Sequence, residues 1–236
     1  MSTPARLVTW LPIIAIGACA EITDHHQHLF SPAAAAHASP GVKEIGARDL
    51  IVRLDEAGIE RAVVLSVAYS LANPNKARFA NEYPLVRAEN DWTATQVALF
   101  PDRLEGFCSV NPLRDYALKE IARCAKNPHL RTGLKLHFGN SDVNVNDPAQ
   151  LAQLKRVFRA ANRNHMALAV HMRANWDHNR PYGTNEARVF LERLVPEAPD
   201  VTIQIAHLAG GGGSGTWPPT RPARSSPRLP PATIRG

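Results

Sequence analysis

The chain has 236 residues, 44% of them apolar and 20% charged. That excludes a disordered segment and a membrane-embedded bundle, and leaves room for one large α/β domain or two small ones. The formal net charge of +6 does not mark a nucleic-acid surface, because Arg221, Arg224, Arg228 and Arg235 cluster late in the chain with no acid among them, and without those four, 23 basic residues face 21 acidic ones.

The first 20 residues read as a leader. Arg6 supplies a small positive start, Leu7 to Gly17 is an apolar stretch too short to span a bilayer, and Ala18-Cys19-Ala20 is a small-residue cleavage pattern before Glu21. Ile16-Gly17-Ala18-Cys19 also resembles a bacterial lipobox, in which Cys19 would carry the lipid. The expected location is periplasmic or lipid-anchored. Against it stand the single Arg and Pro12 within the apolar run, which suit a segment buried under the fold of a cytoplasmic protein.

Next comes Asp24-His25-His26-Gln27-His28, at the end of a short strand. Strand alternation puts Asp24, His26 and His28 on one face, and two imidazoles two residues apart can chelate a divalent metal. The bland alternative is a polar strand end whose histidines meet solvent.

From Ala47 onward, helix and strand alternate. Leu50, Ile51, Leu54 and Ala57 share a helical face that Gly58 is placed to end, and residues 61–67 form a near-continuous apolar strand. Residues 75–100 read as helical, 104–110 as a strand, 116–126 as a helix and 132–138 as a strand. Asp147-Pro148 is an N-cap followed by a first-turn proline, leading a helix with Leu151, Leu154, Val157, Phe158 and Ala161 on one stripe. Residues 166–173 are the fifth strand, Ala187 to Leu194 a helix, and 201–208 the sixth strand. Cys108 falls in a strand and Cys124 in a helix. They are expected to be two buried thiols, unless export and geometry allow oxidation. Six successive units of this kind predict an α/β fold of the (β/α)8 TIM-barrel type. In such a barrel the strand C-termini surround one pocket, and His26, His28, Lys135, His137, His171 and His207 all lie near such ends.

The set Asp24-x-His26-x-His28, Gly133-Leu134-Lys135-Leu136-His137, Ala169-Val170-His171-Met172-Arg173 and Ile205-Ala206-His207-Leu208-Ala209-Gly210 resembles the amidohydrolase superfamily, and within it the amidohydrolase-related group of metal-dependent TIM-barrel hydrolases and decarboxylases. The resemblance covers about residues 22–213. It implies a divalent metal, most often Zn2+, held by His26, His28 and His171, with His207 binding metal or orienting substrate. It also implies an aspartate after an eighth strand that handles the proton of the attacking water. The text departs from that pattern after Gly210 to Gly213: residues 214–236 hold six prolines, four arginines and no acid. They are expected to be a disordered Arg/Pro-rich tail, from a shifted reading frame or truncation, or else a natural basic tail. The expected organisation is thus a leader over 1–20, an incomplete barrel of about six units over 21–213, and the tail.

Lys135, His207 and Arg173 are the candidate catalytic residues. Arg173 is placed to clamp a substrate carboxylate through its planar fork. Lys135 would hold a carboxylate or a second metal, although a lone lysine at a strand end favours a snorkelling role at the rim. His25, His37, His129, His165 and His178 are read as ordinary surface or core residues. The glycine run lacks the Lys-Ser/Thr that would make it a phosphate loop. The implied activity is attack of a metal-activated water on a small, carboxylate-bearing amide, ester or lactone, impaired if strands seven and eight are missing. The alternatives are non-oxidative decarboxylation of an unsaturated or aromatic acid, and a non-catalytic metal-binding remnant. An oligomer is compatible with the sequence, and no nucleic-acid partner is expected.

Overall fold

In the computed structural model, residues 21–38, 40–172 and 183–209 are described. The leader with Cys19, Arg173, His178, the glycine run and the tail lie outside them. Six strands alternate with helices: β1 (Thr23–Gln27), β2 (Arg61–Leu65), β3 (Leu104–Ser109), β4 (Gly133–His137), β5 (Ala167–His171) and β6 (Ile203–Ile205). All are parallel, and each pairs with the next in sequence order. That order brings every crossover helix to the same side of the sheet, and the sheet curls around its other face. The result is an incomplete (β/α)8 wall. No helix among the described residues is long and apolar enough to cross a membrane.

The strand sequences show why the sheet has an inside and an outside. Ala62 and Val64 of β2 pack outward with Leu50, Leu54 and Leu104, whereas Val63 and Leu65 meet Ala169 and Phe107 inside. Leu134 and Leu136 of β4, with Leu168 and Val170 of β5, turn outward onto Ile121, Val157 and Phe158. The alternate residues, Gly133, Lys135 and His137 on β4 and Ala167, Ala169 and His171 on β5, share the inner face. Apolar side chains therefore drive the helix–sheet layer, and the inner face is left small below and ionisable above.

The helices follow their local signals. In α2 (Ala47–Glu56), Leu50 and Leu54 are buried and Gly58 ends the turn at φ 66°, a conformation that favours glycine. Asp147 caps α5 (Pro148–Arg163), accepting the Ala149 and Gln150 amides at 2.8 and 3.0 Å. Two further helices are α1 (Pro32–His37) and α4 (Ala117–Cys124). The expected helix over 75–100 is shorter, α3 (Glu82–Val97), and a 3₁₀ turn at Ala68–Ala72 precedes it. The helix expected at 187–194 begins earlier, as α6 (Thr184–Val189), and widens into a π turn over Phe190–Leu194 before Pro196.

The buried Asn90, Glu120 and Glu89 are tied down by hydrogen bonds. Asn90 on α3 takes both the amide and the carbonyl of Ser109, at 3.0 and 2.9 Å, and also donates to Glu120 at 2.8 Å. Arg123 completes the pair with Glu120 at 2.7 Å. Glu89 accepts from the hydroxyl of Ser31, the residue that caps α1, and so fastens α3 to the segment following β1. Cys108 and Cys124 differ from expectation: they form a disulfide between β3 and α4, with Cα atoms 6.0 Å apart. The helix after a parallel strand packs back onto that strand, which is what brings the two sulfurs together.

Phe107, Gly133 and Ala167 stand in one register row across β3, β4 and β5. A Cβ on Gly133 would collide with the Phe107 ring. Gly133→Ala is expected to cost about 1–3 kcal/mol in urea denaturation through overpacking. Phe107→Leu in the same chain should recover part of that loss; strictly additive costs would show that the ring is not the obstacle.

Candidate active site

At the C-terminal end of β1 the strand departs from simple alternation. Asp24 pairs with Ala62, but the next partners are Gln27 and Val64, so one extra residue is accommodated as a bulge. Asp24 folds back, its two carboxylate oxygens accepting from the His26 amide at 2.8 Å and the Gln27 side chain at 2.6 Å. The expectation that Asp24 shares a face with the two histidines is therefore corrected. The bulge lets neighbouring residues serve the interior: His25 lines a cavity lower in the sheet, while the His26 ring reaches His28 and His207 above.

The histidine rings form a connected group. His26 and His28 have centroids 5.1 Å apart and nearly perpendicular planes. His207 lies 4.8 Å from His26 and 4.6 Å from His171, and His171 lies 4.1 Å from His137. The β4–β5 register sets the last pair, since His137 and His171 are direct partners. His207 follows β6 in a 3₁₀ turn and has φ 54°, a left-handed conformation uncommon for a side chain of its size. The structure thus brings together His26, His28, His171 and His207 from the ends of three strands. Arg173 lies outside the described residues.

Hydrogen bonds distinguish the rings. His28 Nδ1 lies 2.7 Å from the Leu65 carbonyl oxygen, which can only accept, so Nδ1 carries the proton and Nε2 the lone pair. At His137 the polarity is reversed: Nδ1 accepts the backbone N–H of Asn140 at 3.0 Å, and the proton is on Nε2. Burial, helped by the Lys135 charge, lowers His26 to about 4 and His28 to about 3. Both are neutral at pH 7, the form in which imidazole binds metals.

Lys135 does not snorkel at the rim. It is 0% exposed, and its Nζ lies 3.5 Å from His26 Nε2. Its register partners are Ser109 on β3 and Ala169 on β5, whose small side chains leave space for the long stem. Burial pushes its amine down to about 8. A strand-end lysine is an ordinary feature of sequence, and nothing in its local pattern announces this enclosure. Tyr69 is a further neighbour that the sequence reading missed, with its ring 5.0 Å from His137. It belongs to the 3₁₀ turn at Ala68–Ala72, which has no periodicity to find, and its amide is held by Ser109 Oγ at 3.1 Å.

A cavity of about 510 Å³ lies at the opposite, N-terminal part of the sheet, lined by Thr23, His25, Glu105, Phe107, Ala167 and Gln204 among others. It reaches none of the clustered rings. The clustered rings stand at the strand C-termini, where active sites of this architecture form.

A family model described as Amidohydrolase matches residues 23–226. No curated protein matches the sequence significantly. Among solved structures, 5-carboxyvanillate decarboxylase from Sphingomonas paucimobilis is 20% identical with a TM-score of 0.56, over 80% of this chain and 68% of that one. The 2,6-dihydroxybenzoate decarboxylase from Rhizobium is 18% identical with a TM-score of 0.57, over 80% and 66%. A manganese-bound 5-carboxyvanillate decarboxylase from Novosphingobium aromaticivorans is 14% identical with a TM-score of 0.58, over 80% and 66%. These likenesses show the fold, and the chain spans about two-thirds of the length of those proteins.

The depressed lysine has a measurable consequence in chelator-treated protein. The unfolded chain keeps the Lys135 proton up to the ordinary value of 10.5, whereas the folded chain releases it near 8. Between those values the unfolded state binds more protons, so stability should rise with pH, by at most about 1.4 kcal/mol per pH unit. Denaturation of wild type and Lys135→Met from pH 7 to 10.5 checks this. The variant should lose that slope, and an unchanged slope would mean that the buried amine is not its source.

Proposed function

The chain belongs to the amidohydrolase family, and from that premise we propose that it is a metal-dependent enzyme for a small carboxylate-bearing molecule, hydrolysing an amide, ester or lactone bond. The observation that carries the reading is the convergence of His26, His28, His171 and His207 in one group of rings. The donor types suit a divalent metal: the four residues are imidazoles, His26 and His28 are held neutral, and the Leu65 carbonyl orients His28 with its Nε2 lone pair exposed to a ligand. An all-nitrogen set of this kind suits zinc. A bound ion supplies Lewis-acid polarisation of a carbonyl or of water.

The chain's own residues have separate tasks in this reading. His26, His28 and His171 hold the ion, and His207 either joins them or orients the substrate. Lys135, enclosed beside His26, offers positive charge to a substrate oxygen when protonated and accepts a proton when neutral, and its lowered amine makes both forms accessible near pH 8. Arg173 is the proposed second cation for a carboxylate, by its place directly after β5 and Met172.

A second reading, non-oxidative decarboxylation of an aromatic acid, is favoured by the rings of Tyr69, His137 and His171 lying in succession, with centroids 5.0 and 4.1 Å apart and planes tilted by 33° and 35°. Such a wall suits a planar substrate, and the decarboxylases similar in fold act on hydroxylated benzoates by their names. The Cys108–Cys124 disulfide supports the export proposal for this protein, because disulfides persist in oxidising compartments.

Metal analysis tests the shared premise. Wild type reconstituted with zinc should retain about one ion per chain after desalting, as tetrahedral sites with an open position do. His26→Ala, His28→Ala and His171→Ala should each retain under roughly a tenth of that. Equal metal in all four proteins would overturn the ligand assignment. For the reaction, zinc- and manganese-loaded protein assayed on esters, lactones and hydroxybenzoates should release acid from the first two classes. Carbon dioxide from the third class alone would replace hydrolysis with decarboxylation.

A further inference from the structure

Two carboxylic side chains are buried among the described residues, Glu120 and Glu89, and their surroundings differ. Glu120 lies against Arg123 at 2.7 Å. Glu89 is 2% exposed and forms no ion pair among the described residues; its side-chain hydrogen bonds both go to Ser31. The Ser31 hydroxyl donates to Glu89 Oε2, and the Ser31 amide donates to Oε1 across a longer 3.4 Å. The same hydroxyl oxygen accepts the Ala34 amide at 3.1 Å and so caps α1. A carboxyl on α3 thus closes over the first turn of a six-residue helix that follows β1 and His28.

The charged and titratable groups nearby are committed elsewhere. On α3 itself, Asp91 pairs with Arg123 of α4, and Arg87 lies over the Tyr83 ring. The turn at Ala68–Ala72, which packs on α3, carries no charged side chain, and on β3 only Glu105 is charged, lining the cavity at the opposite end of the sheet. His28, three residues before Ser31, faces the Leu65 carbonyl. The titratable group of α1 is His37 at its far end, with its ring on Phe79 and its carbonyl taking Lys76 Nζ at 2.6 Å. Burial and Lys76 hold that imidazole below its ordinary 6.5. Around Glu89, burial raises the carboxyl above its ordinary 4.5, and only the two Ser31 bonds act the other way.

We propose that Glu89 and Ser31 form a proton-operated clasp: protonated Glu89 holds the first turn of α1 against α3, and ionisation of Glu89 loosens that turn. A neutral carboxyl can be enclosed with its hydrogen bonds intact, whereas an ionised one is left in the interior with no cation to offset it. The remaining attachments of this segment stand on either side, at the Phe30–Ile45 bridge and at the His37 carbonyl, so the opening is confined to residues 31–35 between them. The sign follows from the raised carboxyl. Between the ordinary 4.5 and the higher value of the closed form, the closed form binds more protons than the open one, so closure weakens as pH rises, by at most about tenfold per pH unit. The clasp requires neither metal nor substrate and is independent of the proposed reaction.

The test uses the full chain with carbon-13-labelled glutamate, whose carboxyl resonances are followed by NMR against pH; the Glu89 signal is the one missing from Glu89→Gln. On the same protein, amide exchange is measured at Ala34 and Ala35, whose N–H groups bond to the Ser31 hydroxyl and carbonyl, and at Leu54 of α2 as a remote reference. Protection is taken after correction for the base catalysis common to all amides. Glu89 should titrate above 4.5, and protection at Ala34 and Ala35 should fall by about tenfold or more through that midpoint while Leu54 stays level. Ser31→Ala should leave Ala34 weakly protected at every pH, without a step. Titration of Glu89 at or below 4.5 would overturn the proposal, as would Ala34 protection that ignores the Glu89 midpoint. An equal fall at Leu54 would mean loosening of the whole fold rather than a clasp, and a step that survives in Ser31→Ala would remove Ser31 from the device; either result refutes it.

Discussion

The register of β4 against β5 is the constraint on which the upper half of this structure depends. Pairing Gly133 with Ala167, Lys135 with Ala169 and His137 with His171 stacks three inner-face rows in order. The lowest row is small enough for the Phe107 ring to cross it, the middle row makes space for a buried amine, and the top row sets two imidazoles side by side. A slip of one residue would exchange every one of these for Leu134, Leu136, Leu168 and Val170, and turn the ionisable groups into the apolar layer beneath the helices. The hydrophobic demand of that outer layer is what holds the register, so the site's geometry follows from packing on the far side of the sheet.

Within that frame, electrostatics and hydrogen bonding divide similar residues among different tasks. Lys135 sits in enclosure with a weakened hold on its proton, and its charge helps keep His26 and His28 neutral. Two backbone groups then choose tautomers: the Leu65 carbonyl fixes His28 one way and the Asn140 amide fixes His137 the other. Rings of the same chemistry thereby present a lone pair at one place and a hydrogen at another. The supporting structure is itself polar. Asn90 binds both backbone groups of Ser109, whose hydroxyl in turn holds the Tyr69 amide against the site. Each of these groups is buried and partnered, which makes the network a rigid mount rather than a cost.

Much of this was legible in the sequence because strands covered by helices announce themselves. Residues 61–65, 104–109, 133–137 and 167–171 are short runs with apolar alternate positions, and Asp147-Pro148 and Gly58 mark helix ends by well-understood backbone chemistry. Those local signals carried the order of elements, the parallel sheet and the location of His26, His28, His171 and His207 near strand ends. Where periodicity fades, the reading faded too. The 3₁₀ turn holding Tyr69 and the π turn over Phe190–Leu194 have no repeating face to detect.

What the sequence determined by itself is therefore the sequential part: which residues form strands, which form helices, and which ionisable side chains lie where strands finish. What only the tertiary structure decided is non-local. The bulge in β1 is a mismatch between Asp24–Gln27 and the facing β2 strand, and it removes Asp24 from the face it was expected to share with the histidines. The burial of Lys135 depends on Ser109 and Ala169, 26 positions before it and 34 after it, being small. The Cys108–Cys124 disulfide depends on how α4 packs back onto β3. The tautomer of His28 depends on a carbonyl 37 residues away. None of these is written in a local pattern, because each arises from the distance between two chain segments, and only folding sets that distance.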